Sequence, residues 1–201
     1  MSHSNIFTCS IFLILICLSA NISAQITVLN PSFEDTPSDA TVPQGWHACE
    51  ERTTPDILPG FWGVYNEPTD GETYTGIITR ENGTFESFGQ RLSAPLKKGE
   101  CHQFAIDLAH SNIYAGYNKP IMLQIYVGSN KCDEDQLIYT SKLINHEEFK
   151  TYKVQFKAQE AYQYIILKAF IKEGTRFLLV ICTLLNILYP LIRIKLTNRN
   201  T

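Results

Sequence analysis

Between residues 101 and 171, apolar side chains recur at every second position. Phe104, Ile106 and Leu108 alternate with Ala105, Asp107 and Ala109. Ile121, Leu123, Ile125 and Val127 alternate with Met122, Gln124 and Tyr126. Tyr152, Val154 and Phe156 alternate with Thr151, Lys153, Gln155 and Lys157. Successive side chains of an extended strand point to opposite faces, so this spacing predicts strands with one face buried. A helix would return its apolar stripe every three or four residues instead. Tyr164 to Ile171 is apolar on both faces apart from Lys168, which predicts a central strand covered on both sides. Shorter strand candidates are Tyr74 to Thr79, Phe85 to Leu92 and Leu137 to Leu143.

Turn-forming residues separate these segments: Asn30-Pro31, Pro37-Ser38-Asp39, Glu67-Pro68-Thr69-Asp70-Gly71, Asn82-Gly83, Lys98-Gly99 and Gly128-Ser129-Asn130. Short strands punctuated in this way predict an all-β, antiparallel β-sandwich. Only Ile144 to Phe149 and Ala158 to Tyr162 are expected as single helical turns. Thr36 to Gly71 holds five of the nine prolines and both tryptophans, and is expected as an extended, ordered loop; loops of this length commonly carry function.

The flanks differ from this body. Residues 1–24 contain no Asp, Glu, Lys or Arg, and 175–201 contain Arg176, Arg193, Lys195 and Arg199 but no acid. Taking those four bases from 17 leaves 13 against 20 acids for residues 25–174, an acidic domain of net −7. Nothing in that balance suits nucleic acid. Ile6 to Ala20 is a short apolar run followed by small residues, which is expected as a secretory signal peptide cleaved after Ala24. Residues 25–174 are then one sandwich domain, exported to the cell envelope or beyond. The tail, 175–201, is apolar with a basic end. Residues 177–192 carry no charge, and three readings stand: a stop-transfer membrane anchor, an altered last sandwich strand, or a terminus not shaped for this fold. The lack of alternation favours an apolar helix, although sixteen helical residues span only about 24 Å against a hydrocarbon core of about 30 Å.

Export makes disulfides the natural use of cysteine. No C-x-x-C pair occurs, so zinc has no sequence support. Cys101 opens one predicted strand and Cys132 lies just beyond the next, which makes them the disulfide candidate; the alternative is buried free thiols.

Asn30-Pro31-Ser32-Phe33-Glu34, followed by Gly45-Trp46, resembles the opening of the carbohydrate-binding, galactose-binding-like jelly-roll modules. Leu96 to Ile106, with its Lys98-Gly99 entry, and Phe149 to Phe156 are similar to two later strands of those modules. The combination resembles a branch found in bacterial cell-surface proteins, some fused to peptidoglycan-binding outer-membrane domains. The resemblance covers about residues 26–174 and implies a jelly roll, a glycan or envelope component as partner, and no catalysis. It also implies a structural calcium near Glu34. The family's closing Asp-Asn-Ile or Asp-Asp-Val strand has no counterpart after Gly174, however, so Glu34 alone matches the ligand set. Calcium takes about six to eight oxygens, and the competing reading of Glu34 is a carboxylate accepting backbone hydrogen bonds.

A sugar face needs a flat aromatic beside amide and carboxylate groups, because pyranose C–H faces stack on rings while hydroxyls need fixed partners. Trp62, Tyr65, Asn66 and Glu67, with Asp70, form one such cluster; Tyr114 and Tyr117, with Asn118, form another. Trp46 is expected in the core. The histidines share no motif spacing, and neither G-x-S-x-G nor H-E-x-x-H occurs. The expected function is therefore a non-catalytic envelope binding module for glycans, with a structural or adhesive spacer as the alternative.

Overall fold

The computed structural model describes residues 25–80, 82–114 and 119–171, together with the backbone of 181–188 and 192–194. The expected signal peptide, 1–24, lies outside the described residues.

The chain folds as two packed sheets. Strands β1 (His47–Ala48), β2 (Asp56–Leu58), β3 (Tyr74–Thr79), β4 (Ser87–Arg91), β5 (Cys101–Ala109) and β6 (Lys119–Pro120) come first. They are followed by β7 (Met122–Gly128), β8 (Gln136–Thr140), β9 (Lys150–Lys157), β10 (Tyr164–Phe170), β11 (Ile181–Leu188) and β12 (Ile192–Ile194). One sheet is five-stranded, in the order β1-β4-β10-β7-β8. The other runs β2-β3-β11-β5-β9, with β12 continuing along β5 and β6 beside the start of β11. These strands pair antiparallel throughout except where β6 runs parallel to β11. This is the all-β sandwich expected from the period-two pattern.

The inward faces follow the alternation. Phe104, Ile106 and Leu108 of β5, Leu123, Ile125 and Val127 of β7, and Ile165, Leu167 and Ala169 of β10 form one core between the sheets. Strand β10 is central, paired to β4 and β7. Phe33, Trp46 and Phe88 close one end, with ring centroids 5.1–6.1 Å apart, and Trp46 Nε1 donates to the Asn30 carbonyl at 3.2 Å. Trp46 is therefore core, as expected. A smaller apolar cluster lies on the opposite, outward face of β3, where Tyr74 and Ile78 meet Leu58, Val64, Ala109 and Tyr114. Residues 59–66 and 110–114 cover that face.

Several expectations are corrected. No helix occurs among the described residues, so 144–149 and 158–162 are bends rather than helical turns. The expected apolar helix of the tail is also absent over 181–188: this segment is β11, inserted between β3 and β5. No helix among the described residues is long and apolar enough to cross a membrane; residues 172–180 and 189–191 lie outside the description. The disulfide joins Cys132 to Cys49, with Cα atoms 5.2 Å apart, not to Cys101, which is a free thiol. The reason is topological. Cys101 begins β5 in one sheet, whereas Cys132 sits in the β7–β8 turn of the other, against the chain leaving β1.

Candidate functional site

The Glu34 carboxylate is an acceptor of backbone hydrogen bonds, from the N–H groups of Glu72 at 3.1–3.2 Å and Thr73 at 3.3 Å. It thereby closes the turn at Gly71, whose φ of +69° and contact with Glu34 leave no room for a Cβ. Both oxygens are engaged by donors, and no group of three or more metal-ligating side chains among the described residues includes Glu34.

The sequence-predicted aromatic clusters separate. Trp62 is 45 % and Tyr65 69 % exposed, flanking the outward apolar cluster, and Gly63 abuts the backbone of exposed Ile113. Asn66 is tied down, donating to the Glu147 carbonyl at 2.9 Å, and Glu67 is exposed. Tyr114 is corrected: it is 2 % exposed and serves the fold. Its ring lies against Gly76, where a Cβ would fall 2.7–2.8 Å from it, and its hydroxyl donates to Asp56. Burial raises the Asp56 carboxyl above its ordinary value against the pull of this hydrogen bond. Tyr114→Phe should cost about 1–3 kcal/mol, read by chemical denaturation, because a buried acceptor loses its donor. Tyr117 and Asn118 lie outside the described residues.

A cleft of about 470 Å³ opens on the outward face of the five-stranded sheet, opposite in alternation to the core. Its floor is Lys168 of β10 beside Gln124 and Tyr126 of β7; its wall is Arg80 and Phe85 of the β3–β4 hairpin. Lys168 is the one charge in an otherwise apolar strand, and the packing explains it. Its Nζ is held by both Glu134 oxygens at 2.9 Å and lies 4.4 Å from the Phe85 centroid and 5.6 Å from that of Tyr126. Such a cation between aromatic faces is stabilised by their quadrupoles. Tyr126 donates its hydroxyl to Gln124 Oε1 at 2.9 Å. Burial, and then the Glu134 charge, raise the phenol above its ordinary value, so it remains a donor. Arg80 is paired in turn with the 1 % exposed Glu86 at 2.7 Å. Each cation at the cleft thus has its own carboxylate. A second recess of about 340 Å³, lined by Glu50, Arg52 and Thr84, lies on the other side of Phe85.

None of these cleft residues was singled out from sequence. They come from three distant segments, and Lys168 within β10 was the only local irregularity pointing to them.

No family model and no curated protein sequence matches the chain. Solved structures do match its fold. The CBM22-1 xylan-binding domain of Paenibacillus barcinonensis Xyn10C aligns over 87 % of this chain and 98 % of that domain, with TM-score 0.53 and 12 % identity. The K2 cleaved adhesin domain of Lys-gingipain aligns over 81 % and 96 %, with TM-score 0.51 and 7 % identity. An arabinose-bound GH51 α-L-arabinofuranosidase gives TM-score 0.55 at 8 % identity over 83 % of this chain, which spans only 26 % of that enzyme. The chain shares the jelly-roll sandwich fold of these structures.

Proposed function

We propose that this protein is an exported, non-catalytic module of the cell envelope that recognises a neutral glycan in the cleft over β7 and β10. The observation that carries the reading is the cleft's chemistry. Aromatic faces at Phe85 and Tyr126 stand beside an amide and a phenol with directional hydrogen bonds, and the two cations are already neutralised by Glu134 and Glu86. A polyanion finds no uncompensated cation among these residues. Hydroxyl groups instead meet oriented donors and acceptors, and sugar C–H faces meet rings. The sandwich shared with a xylan-binding domain supports the same class of ligand.

A second reading, an adhesive contact through the outward face of the other sheet, draws on the exposure of Trp62 and Tyr65. Affinity electrophoresis in polysaccharide gels and a glycan array separate the two. Tyr126→Ala should weaken glycan retention about five- to a hundredfold, on the scale of about 1–3 kcal/mol for a ligand ring stacked on an aromatic side chain, while Trp62→Ala should leave it unchanged. The reverse pattern moves the site to the Trp62 face, and no retention on any glycan at millimolar concentration defeats the glycan reading.

A further inference from the structure

The Cys49–Cys132 disulfide is not among the residues lining the cleft and has a third member. A ring nitrogen of His47 and the two sulfurs lie within 4.8 Å of one another. His47 belongs to β1, where it pairs with Gly89, and Cys49 follows just beyond that strand. Gly89 leaves space for the Cys49 sulfur, since a Cβ there would sit 3.3 Å from it. The His47 ring is held edge-on to Tyr164 at 6.2 Å. Its Nε2 is closed to water and makes no hydrogen bond to any described residue, which is uncommon for a buried polar atom and calls for an explanation.

We infer that this disulfide is one state of a redox-gated metal site: once it is reduced, His47, Cys49 and Cys132 bind a single thiophilic d¹⁰ cation, with Zn(II) as the representative ion. The chemistry balances. A dithiol donor gives two electrons and two protons to the S–S bond and becomes a disulfide itself, leaving two thiols. The cation displaces those two protons to solvent and takes two thiolates and the imidazole lone pair. Zinc bonds sulfur at about 2.3 Å and nitrogen at about 2.0–2.1 Å, so tetrahedral ligand atoms stand about 3.5–3.8 Å apart. Breaking the S–S bond lets the sulfurs separate to that spacing by side-chain rotation, while the nitrogen is already inside the 4.8 Å envelope. Two thiolates and one imidazole are a borderline-soft donor set that selects zinc or Cu(I) over calcium or magnesium. Three protein ligands leave a fourth position for water. In the oxidised state the sulfurs are not thiolates and the site is closed.

The test uses the full chain, reduced by a dithiol, freed of reductant without air, and titrated with Zn(II) against a chromophoric chelator. The other cysteines are matched by running Cys49→Ser/Cys132→Ser alongside. Reduced wild type should take up one more equivalent than this double variant, and oxidised wild type should not. His47→Ala should weaken that equivalent by at least about tenfold, given that losing even outer-shell partners costs that much. Co(II) in place of zinc should give a thiolate charge-transfer band in wild type that the double variant lacks. Equal uptake by reduced wild type and the double variant overturns the proposal, as does an unchanged affinity in His47→Ala. Circular dichroism of the reduced protein guards against unfolding: sheet signal lost on reduction and not restored by zinc also overturns it.

Discussion

A chain ending at Gly174 is expected to lose cooperative folding altogether. Strand β11 stands between β3 and β5, with Ile181 to Leu185 opposite Thr79 to Thr75 and Leu184 to Leu188 opposite Ala109 to Ile106; β12 extends the ladder to Cys101. Removing it cuts the sheet in the middle rather than trimming an edge. β3 would keep only the three-residue β2 as a partner, and β5 only β9. Each lost backbone pair costs about 1 kcal/mol net and more where donors stay buried. Over two ladders that approaches the whole stability of a typical domain, about 5–15 kcal/mol. The two exposed edges are also templates for aggregation. Thermal unfolding followed by circular dichroism, with size-exclusion chromatography, should show a single transition for the full chain and none for the truncated one. A truncated chain that melts within a few degrees of the full chain would remove β11 from the fold.

That same strand shows where the sequence stops being readable. Strands β5, β7 and β9 were legible because one of their faces meets water or the sandwich exterior, so polar and apolar residues alternate. Strand β10 was legible as central because its apolar run is strand-length and bounded by turns. Residues 181–188 carry no alternation in their sequence: Thr183 and Asn186 fall three positions apart, and the surrounding apolar run is as long as a short helix. Periodicity cannot separate a buried strand from a buried helix in that case. The partners that decide it, β3 and β5, are more than seventy residues away in sequence.

The candidate sites were hidden for related reasons. Outward polar positions on a strand carry no mark that says which neighbours they meet, so Gln124 and Tyr126 look in sequence like ordinary outward residues. Only the sheet order brings β7 beside β10 and places the Phe85 hairpin over Lys168. Tyr114 erred in the opposite direction. It has the composition of a loop platform, but Gly76 supplies a flat seat for its ring and Asp56 an acceptor for its hydroxyl. Cys49 lay in a proline-rich segment without alternation, and nothing local indicated that this loop crosses the five-stranded sheet to meet Cys132. Trp62 and Tyr65 did turn out to be exposed, as a contact face requires.

Glu86→Ala is expected to destabilise the protein by about 3–5 kcal/mol, the range for breaking a buried, hydrogen-bonded charge pair. The carboxylate is 1 % exposed and serves several donors at once: Ile78 N at 3.0 Å, Thr54 N at 3.1 Å, the Thr54 hydroxyl at 3.0 Å and Arg80 Nη2 at 2.7 Å. Alanine would leave Ile78 N without its acceptor and the Arg80 guanidinium with the Thr54 hydroxyl in place of a carboxylate, and would loosen the hairpin that forms the cleft wall. Burial raises the Glu86 carboxyl above its ordinary value of 4.5, outweighing Ile78, Arg80 and Thr54, which lower it. A raised carboxyl binds its proton more readily in the folded state than in the unfolded one. Between 4.5 and the folded value, the folded chain therefore holds more proton, and this group's contribution to stability falls as pH climbs through that window. Glu86→Gln removes the titration. Urea unfolding of wild type and Glu86→Gln at a series of pH values should show the wild type losing ground to the variant as pH rises from 4.5, with carboxylates common to both cancelling. A wild type that instead gains on the variant across that window would mean that Arg80 and the backbone donors outweigh burial at Glu86.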